Sequence, residues 1–172
     1  FIFLNKILSV LDFGCASGSL LYNLKKKNSK FVCYGVDVSL KAIETCNERF
    51  SIFDSFSETY SFNSFIDKEN LKKFLVFNKI NNFDLIVFDR VLYCLNEKEI
   101  YRQLDILSKF AKRIFIDDFL LDSDSDSDFL GYKHRDWIST MEGFGFECEI
   151  NIPTIYNQVS NANARTLVFK TK

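Results

Sequence analysis

The feature that most constrains this chain is the run Val10-Leu-Asp-Phe-Gly-Cys-Ala-Ser-Gly-Ser-Leu20, in which a nearly continuous apolar segment ends in an acid and a small-residue turn. Ile7, Leu8, Val10, Leu11 and Phe13 read as a central parallel strand, because a strand buried on both faces loses the usual apolar/polar alternation. Gly14, Ala16, Ser17 and Gly18 then carry few side-chain atoms, so the backbone turns sharply and a ligand can approach it closely. Leu20, Leu21 and Leu24 mark one face of a short helix after the turn, and Lys25 to Lys27 close it where cations complement the helix dipole. A strand, small-residue turn and helix of this kind suits a dinucleotide, an adenosyl ligand or no ligand at all. The dinucleotide fingerprint G-x-G-x-x-G requires glycines where Ala16 and Ser19 stand.

A second apolar stretch, Phe31 to Ser39, reads as a strand ending in the acid Asp37, roughly twenty residues beyond Gly18. A carboxylate at the carboxyl end of a neighbouring strand is placed to accept hydrogen bonds from both ribose hydroxyls of an adenosine. Ser39 caps the next helix, with Leu40, Ile43, Cys46 and Phe50 on one face. These two stretches resemble the opening motifs of the class I S-adenosylmethionine-dependent methyltransferases. Val10, Leu11, Asp12, Gly14 and Gly18 match the pattern [V/I]-L-D-x-G-x-G-x-G, with Ala16 in place of the middle glycine, and Gly35 to Cys46 follows the second motif. The resemblance implies S-adenosyl-L-methionine as cofactor, held by Asp12, Gly14, Cys15, Ala16, Gly18, Asp37 and Val38.

The 172 residues, 47% of them hydrophobic, suffice for one domain with a core. A formal charge of −1 gives no general attraction to nucleic acid or anionic membrane. Twenty phenylalanines against one proline read as coding bias. No run reaches the ~18 apolar residues of a membrane span. The five cysteines lack C-x-x-C spacing and read as buried reduced thiols, which points to the cytoplasm.

Tyr60 to Ile66 alternates as a third strand, with Leu71, Phe74 and Leu75 on the helix after it. Asp67 falls at that strand's end, where the family often contacts the adenine amino group; a solvated turn acid is the other reading. Phe83 to Phe88 reads as a fourth strand, and Asp89, Arg90 and Tyr93 leave its carboxyl edge, where the family borders the methionine end of the cofactor and the acceptor. Asn96 and Glu99 form a capping-box pair ahead of Ile100, Leu104, Leu107 and Ala111. Arg113 to Phe119 is a fifth strand, so Asp12, Asp37, Asp89 and Asp117 or Asp118 are expected to converge on one edge of the sheet.

Asp122 to Asp128 alternates Asp and Ser like the start of a calcium loop, but Ser127 and Lys133 occupy the positions that need glycine and glutamate. It reads as a solvated loop at the rim. His134, the one histidine, precedes a helix whose apolar face is Trp137, Ile138 and Met141. An imidazole is the natural base near neutral pH, although a lone histidine is more often structural. Arg135 suits pairing with the acidic loop or orienting an anionic acceptor. Residues 143–152 and 166–170 resemble the family's closing strands.

Carried across the chain, the resemblance implies a Rossmann-like α/β fold over residues 1–172: a seven-stranded, mostly parallel sheet, an antiparallel last strand and helices on both faces, without the helices that usually precede the first strand. The absence of N-P-P-Y, D-P-P-Y and Pro-Cys motifs and of a basic patch favours methylation of an oxygen on a small-molecule acceptor, with His134 or Asp118 taking its proton. No nucleic-acid, membrane or metal partner is expected. A non-catalytic cofactor-binding or interaction module and a nicotinamide oxidoreductase are the competing readings.

Overall fold

The computed structural model describes residues 8–51, 60–63, 68–77, 79–120, 134–154 and 164–172, with 60–63 described for their backbone. Five parallel strands, β1 (Ser9–Phe13), β2 (Val32–Asp37), β3 (Tyr60–Asn63), β4 (Leu85–Asp89) and β5 (Arg113–Phe119), are followed by β6 (Phe146–Pro153) and β7 (Ala164–Thr171). Their spatial order is β3-β2-β1-β4-β5-β7-β6, and β7 runs antiparallel to both its neighbours. The order reverses between β1 and β4, whose Val10, Leu11 and Asp12 pair with Leu85, Ile86 and Val87. Such a reversal opens a crevice at the carboxyl ends of the strands.

Two cores form because successive residues of a strand face opposite sides of the sheet. Val10, Cys33, Leu85 and Val87 pack with Leu21 of α1 (Ser19–Lys27) and with Ile43, Cys46 and Phe50 of α2 (Leu40–Ser51). The alternate residues Leu11, Phe13, Ile86, Phe88, Ile114 and Ile116 face the other side. There they meet Phe74 of α3 (Lys68–Phe77), Leu104 of α4 (Glu97–Leu107) and Trp137 of α5 (Trp137–Gly143). Trp137 is almost completely buried, and its indole N–H donates to the Phe119 carbonyl at 3.1 Å.

Local sequence signals hold in detail at α4, where Asn96 accepts from the Glu99 amide at 3.0 Å and Glu99 accepts from the Asn96 amide at 3.1 Å. Elsewhere the structure corrects them. The fourth strand spans Leu85–Asp89, leaving Phe83 in an isolated bridge to Ala111, while residues 64–66 of the expected third strand lie outside the described residues. Leu40 is exposed and lies off the buried face of α2. Lys25 is not a solvated cation: it is buried, and its ammonium donates to the Phe31 carbonyl at 2.6 Å, tying α1 to the entry of β2. Of the cysteines, Cys15, Cys33 and Cys46 are buried, but Cys94 is exposed. Asp122 to Asp128 lies outside the described residues, and no described helix is long and apolar enough to cross a membrane.

Candidate functional site

The turn after β1 is pinned to β2. The amides of Gly14 and Cys15 both donate to the Val36 carbonyl, at 2.7 and 3.0 Å, and the Gly18 amide donates to the Cys15 carbonyl at 2.8 Å. Asp37, at the end of β2, accepts from the Ala16 amide at 2.9 Å and from the Ser39 amide at 2.8 Å, one bond to each carboxylate oxygen. Gly14 and Gly18 have φ of 79° and 73°, and both are packed from outside. A Cβ on Gly14 would lie 2.5 Å from Val91 Cγ2, and one on Gly18 would overlap Cys46 Sγ and come 2.8 Å from Phe50 Cε2. Ala16, standing where the family pattern has glycine, also takes a positive φ, 47°, a conformation that costs an L-residue about 1 kcal/mol. Beside the turn, a cleft of about 320 Å³ is lined by Phe13, Gly14, Asp37, Val38, Val91 and Leu95, among others.

Carboxylates gather on this edge. Asp12 is 3% exposed, and burial, followed by the charges of Asp89 and Asp37, pushes its carboxyl up to about 7. Asp89 and Asp117 are register partners on adjacent strands. Arg90 folds back so that its Nε lies 2.8 Å from Asp89 Oδ1, and it adopts a left-handed φ of 53° with its amide donating to the Asp117 carbonyl. Asp117 accepts from the Thr154 hydroxyl at 2.9 Å, while burial raises its pKa.

The sequence places Asp117 and Asp118 side by side, but the pleat separates them. Asp117 lies on the α1/α2 face, whereas Asp118 shares the other face with Ile114 and Ile116. Asp118 is 2% exposed, its Oδ1 accepts from the Phe119 amide, its Oδ2 has no hydrogen-bond partner among the described residues, and burial pushes the carboxyl up to about 7. The position of His134 follows from the carbonyls of β5. Asp117 and Phe119 point their carbonyls to the same side, the first accepting from Arg90 and the second from Arg135 at 3.3 Å. Arg135 forms an isolated parallel bridge with Leu120, and His134 lines a hollow with Glu97, Ile100, Tyr101 and Trp137, none of which lines the cleft beside the glycine turn. The His134 ring stacks on Phe119, with centroids 5.7 Å apart and planes 19° from parallel, and Tyr93 lies on the same Phe119 ring at 6.0 Å.

A methyltransferase-domain family profile matches residues 4–149. The chain belongs to the class I S-adenosylmethionine-dependent methyltransferase family. No curated protein sequence is significantly similar to it. Its fold is shared with the methyltransferase domain of bacterial CtHen1-C, at 18% identity and a TM-score of 0.73 over 99% of this chain and 93% of that one. It is also shared with the mitomycin 7-O-methyltransferase MmcR, at 15% identity and a TM-score of 0.69. An O-methyltransferase family protein from Burkholderia thailandensis has 10% identity and a TM-score of 0.74. The latter two are matched over 100% and 98% of this methyltransferase but only 51% and 52% of their own chains, so it spans about half their length.

The residues present fit S-adenosylmethionine, the cofactor of this family. A ligand with a sulfonium and an ammonium group suits an edge where Asp12 is buried, receives no hydrogen bond from a described residue and is surrounded by Asp37 and Asp89. Among the described residues no group of three or more metal-binding side chains occurs. Of the residues the sequence singled out, Gly14, Asp37 and Val38 line the cleft, Asp12 is buried beside Phe13 of its lining, and Asp89 and Arg90 line a separate hollow with Leu20, Leu24 and Phe115. Cys15 contributes backbone only, because its Sγ packs against Gly35 in the α1/α2 core. Asp67 lies outside the described residues. Sequence reasoning did not single out Val91, which reaches the cleft through the β1–β4 pairing, or Thr154, which carries no motif and meets Asp117 from the end of β6.

The raised carboxyls of Asp12 and Asp118 make stability pH-dependent in a definite direction. Each binds its proton more tightly folded than unfolded, so the stabilisation is present at acid pH and is lost as pH rises from about 4 through 7. Chemical denaturation should therefore show the ligand-free methyltransferase less stable by a few kcal/mol at about pH 8 than at about pH 5. Asp12→Asn and Asp118→Asn should each flatten the slope. A wild-type protein more stable at the higher pH would contradict the burial of both carboxyls.

Proposed function

We propose that this methyltransferase acts on an oxygen of a small-molecule acceptor, with His134 or Asp118 taking up the acceptor's proton. The observation that supports the reading is the stack of the His134 imidazole on Phe119, two residues beyond Asp117 on β5, a strand whose carboxyl end belongs to the edge where the acids gather. The O-methyltransferase names of two structural neighbours support an oxygen acceptor, as does the absence of amide- and amino-methylating motifs.

In this reading the backbone of Gly14, Cys15, Ala16 and Gly18 lies against the cofactor. Asp37 accepts from the ribose hydroxyls through lone pairs not used by Ala16 and Ser39, Val38 packs on the adenine, and Asp67 meets its amino group. Asp12 and Asp89 face the cationic end, and Arg90 keeps Asp89 in place. S-adenosylmethionine, when bound, supplies a methyl group already activated by the sulfonium. The chain's own residues mainly hold two reactants at short range, an effect that needs little acid or base strength.

The test is formation of S-adenosylhomocysteine by the full chain against a panel of simple phenols and aliphatic alcohols. His134→Ala is expected to lower kcat about a hundredfold while S-adenosylhomocysteine affinity stays within about twofold. Asp118→Asn should do so instead if the buried carboxyl is the base. Full turnover in both variants would remove the base assignment. Tight cofactor binding with no turnover on any acceptor would leave a binding module.

A further inference from the structure

Cys15, Cys33 and Cys46 share the α1/α2 core, and the chemistry described above uses none of their sulfurs. Two glycines set where two of those sulfurs lie. A Cβ on Gly35 would come 2.7 Å from Cys15 Sγ, and one on Gly18 would overlap Cys46 Sγ, so each sulfur fills space that a missing side chain leaves. The two notches are neighbours, because the Gly18 amide donates to the Cys15 carbonyl across the turn. The result is a buried thiol pair. The Cys15 S–H has the Cys46 sulfur as an acceptor, as well as the Ala16 carbonyl at 3.7 Å. Cys33 donates elsewhere, to the Leu21 carbonyl at 3.9 Å.

The pair is asymmetric. The hydrogen bond from Cys15 holds the Cys46 thiol below its ordinary pKa against the opposing effect of burial, and the Arg49 guanidinium, one turn further along α2, adds to the lowering. The same bond pushes Cys15 up. The thiolate is the form that attacks an electrophile, so Cys46 is the nucleophile and Cys15 the thiol beside it that resolves the product.

We propose that Cys15 and Cys46 form a modification site, at which a hydroperoxide joins them in a disulfide that ties the glycine turn to α2 and weakens cofactor binding. With hydrogen peroxide, the Cys46 thiolate takes one oxygen as the O–O bond breaks, giving a sulfenic acid and hydroxide, which takes up the proton Cys46 has given up. The Cys15 sulfur then attacks Cys46 Sγ, the S–S bond forms, and the sulfenic hydroxyl leaves as water with the Cys15 proton. Two thiols and one peroxide thus become one disulfide and two waters, with two electrons passing from sulfur to the peroxide oxygens. The sulfurs must close from hydrogen-bond contact to about 2 Å. Cys46 sits on a packed helix, so the turn yields, and its Gly14, Cys15 and Ala16 amides are the ones bonded to Val36 and Asp37. The loss of affinity rests on the cofactor reading above; the bond between the sulfurs does not.

The experiment treats the folded full chain, carrying Cys94→Ser, with hydrogen peroxide, caps the remaining thiols and maps unreduced tryptic peptides by mass spectrometry. Cys94 is exposed and lines the cofactor cleft, so replacing it keeps its own oxidation out of the binding readout. Trypsin cuts after Lys25, Lys30 and Lys41, which puts Cys15, Cys33 and Cys46 on separate peptides. The Cys15–Cys46 link is expected as the dominant product. S-adenosylhomocysteine affinity should fall about tenfold or more and return with dithiothreitol, which does not reverse sulfinic or sulfonic acids. Cys46→Ser should abolish both changes, and Cys33→Ser neither. The proposal is overturned if the two residues stay unlinked at a peroxide dose that oxidises Cys94 in the wild type. It is also overturned if the link is no more abundant in the folded chain than in denaturant, where the thiols pair without preference. A linked protein that binds S-adenosylhomocysteine as tightly as the reduced one would overturn the effect on the cofactor. Failure of the reduced protein to bind it would count against the cofactor reading instead, and the peptide map would still decide the disulfide.

Discussion

Asp37→Ala should weaken S-adenosylhomocysteine binding about a hundredfold in a calorimetric titration. The carboxylate has two tasks. Within the chain it accepts the Ala16 and Ser39 amides, which fixes the glycine turn against the end of β2. In the proposed reading it also offers the remaining lone pairs to two ribose hydroxyls of the cofactor, and hydrogen bonds to a charged group contribute about 1.5–3 kcal/mol each. Alanine removes both. Asp37→Asn keeps one acceptor oxygen and should lose only about tenfold. NAD titrated in parallel separates the cofactor reading from the oxidoreductase reading. Wild-type affinity for S-adenosylhomocysteine in Asp37→Ala would show that the ribose is not held here.

Gly18→Ala should lower the thermal midpoint by about 6–12 °C, corresponding to roughly 3 kcal/mol for a domain of this size. Two causes add. A φ of 73° is about 1 kcal/mol unfavourable for an L-residue, and the new methyl runs into Cys46 and Phe50, which are 0% and 3% exposed and have no room to retreat. A double-mutant cycle with Cys46→Ala divides the two. Deleting the sulfur should return the steric share and leave the backbone share, giving a favourable coupling of about 1–2 kcal/mol. An unchanged midpoint in Gly18→Ala would mean that α1 and α2 separate more easily than their packing indicates.

The periodic and local parts of the protein were legible in its sequence. Apolar runs ending in Asp12, Asp37 and Asp89 marked parallel strands whose carboxyl ends share one edge, and the Asn96 and Glu99 capping box located α4 to the residue. The Gly14–Gly18 turn and Asp37 were readable because each depends on a short stretch of backbone geometry. Tertiary structure decided the rest, because it depends on pairing between distant strands. Only the β1–β4 pairing brings Val91 against Gly14 and Asp89 near Asp12, and only burial there turns an ordinary aspartate into one that holds its proton to about 7. The pleat of β5 alone assigns Asp117 and Asp118 to opposite faces. The hydrogen bond from the Arg135 amide to the Phe119 carbonyl, invisible in the sequence, ties the segment that carries His134 to the end of β5. Residue type and spacing specify which groups are available at the strand ends; which of them share a charge environment, a face or a cleft is set by register and by what covers each side of the sheet.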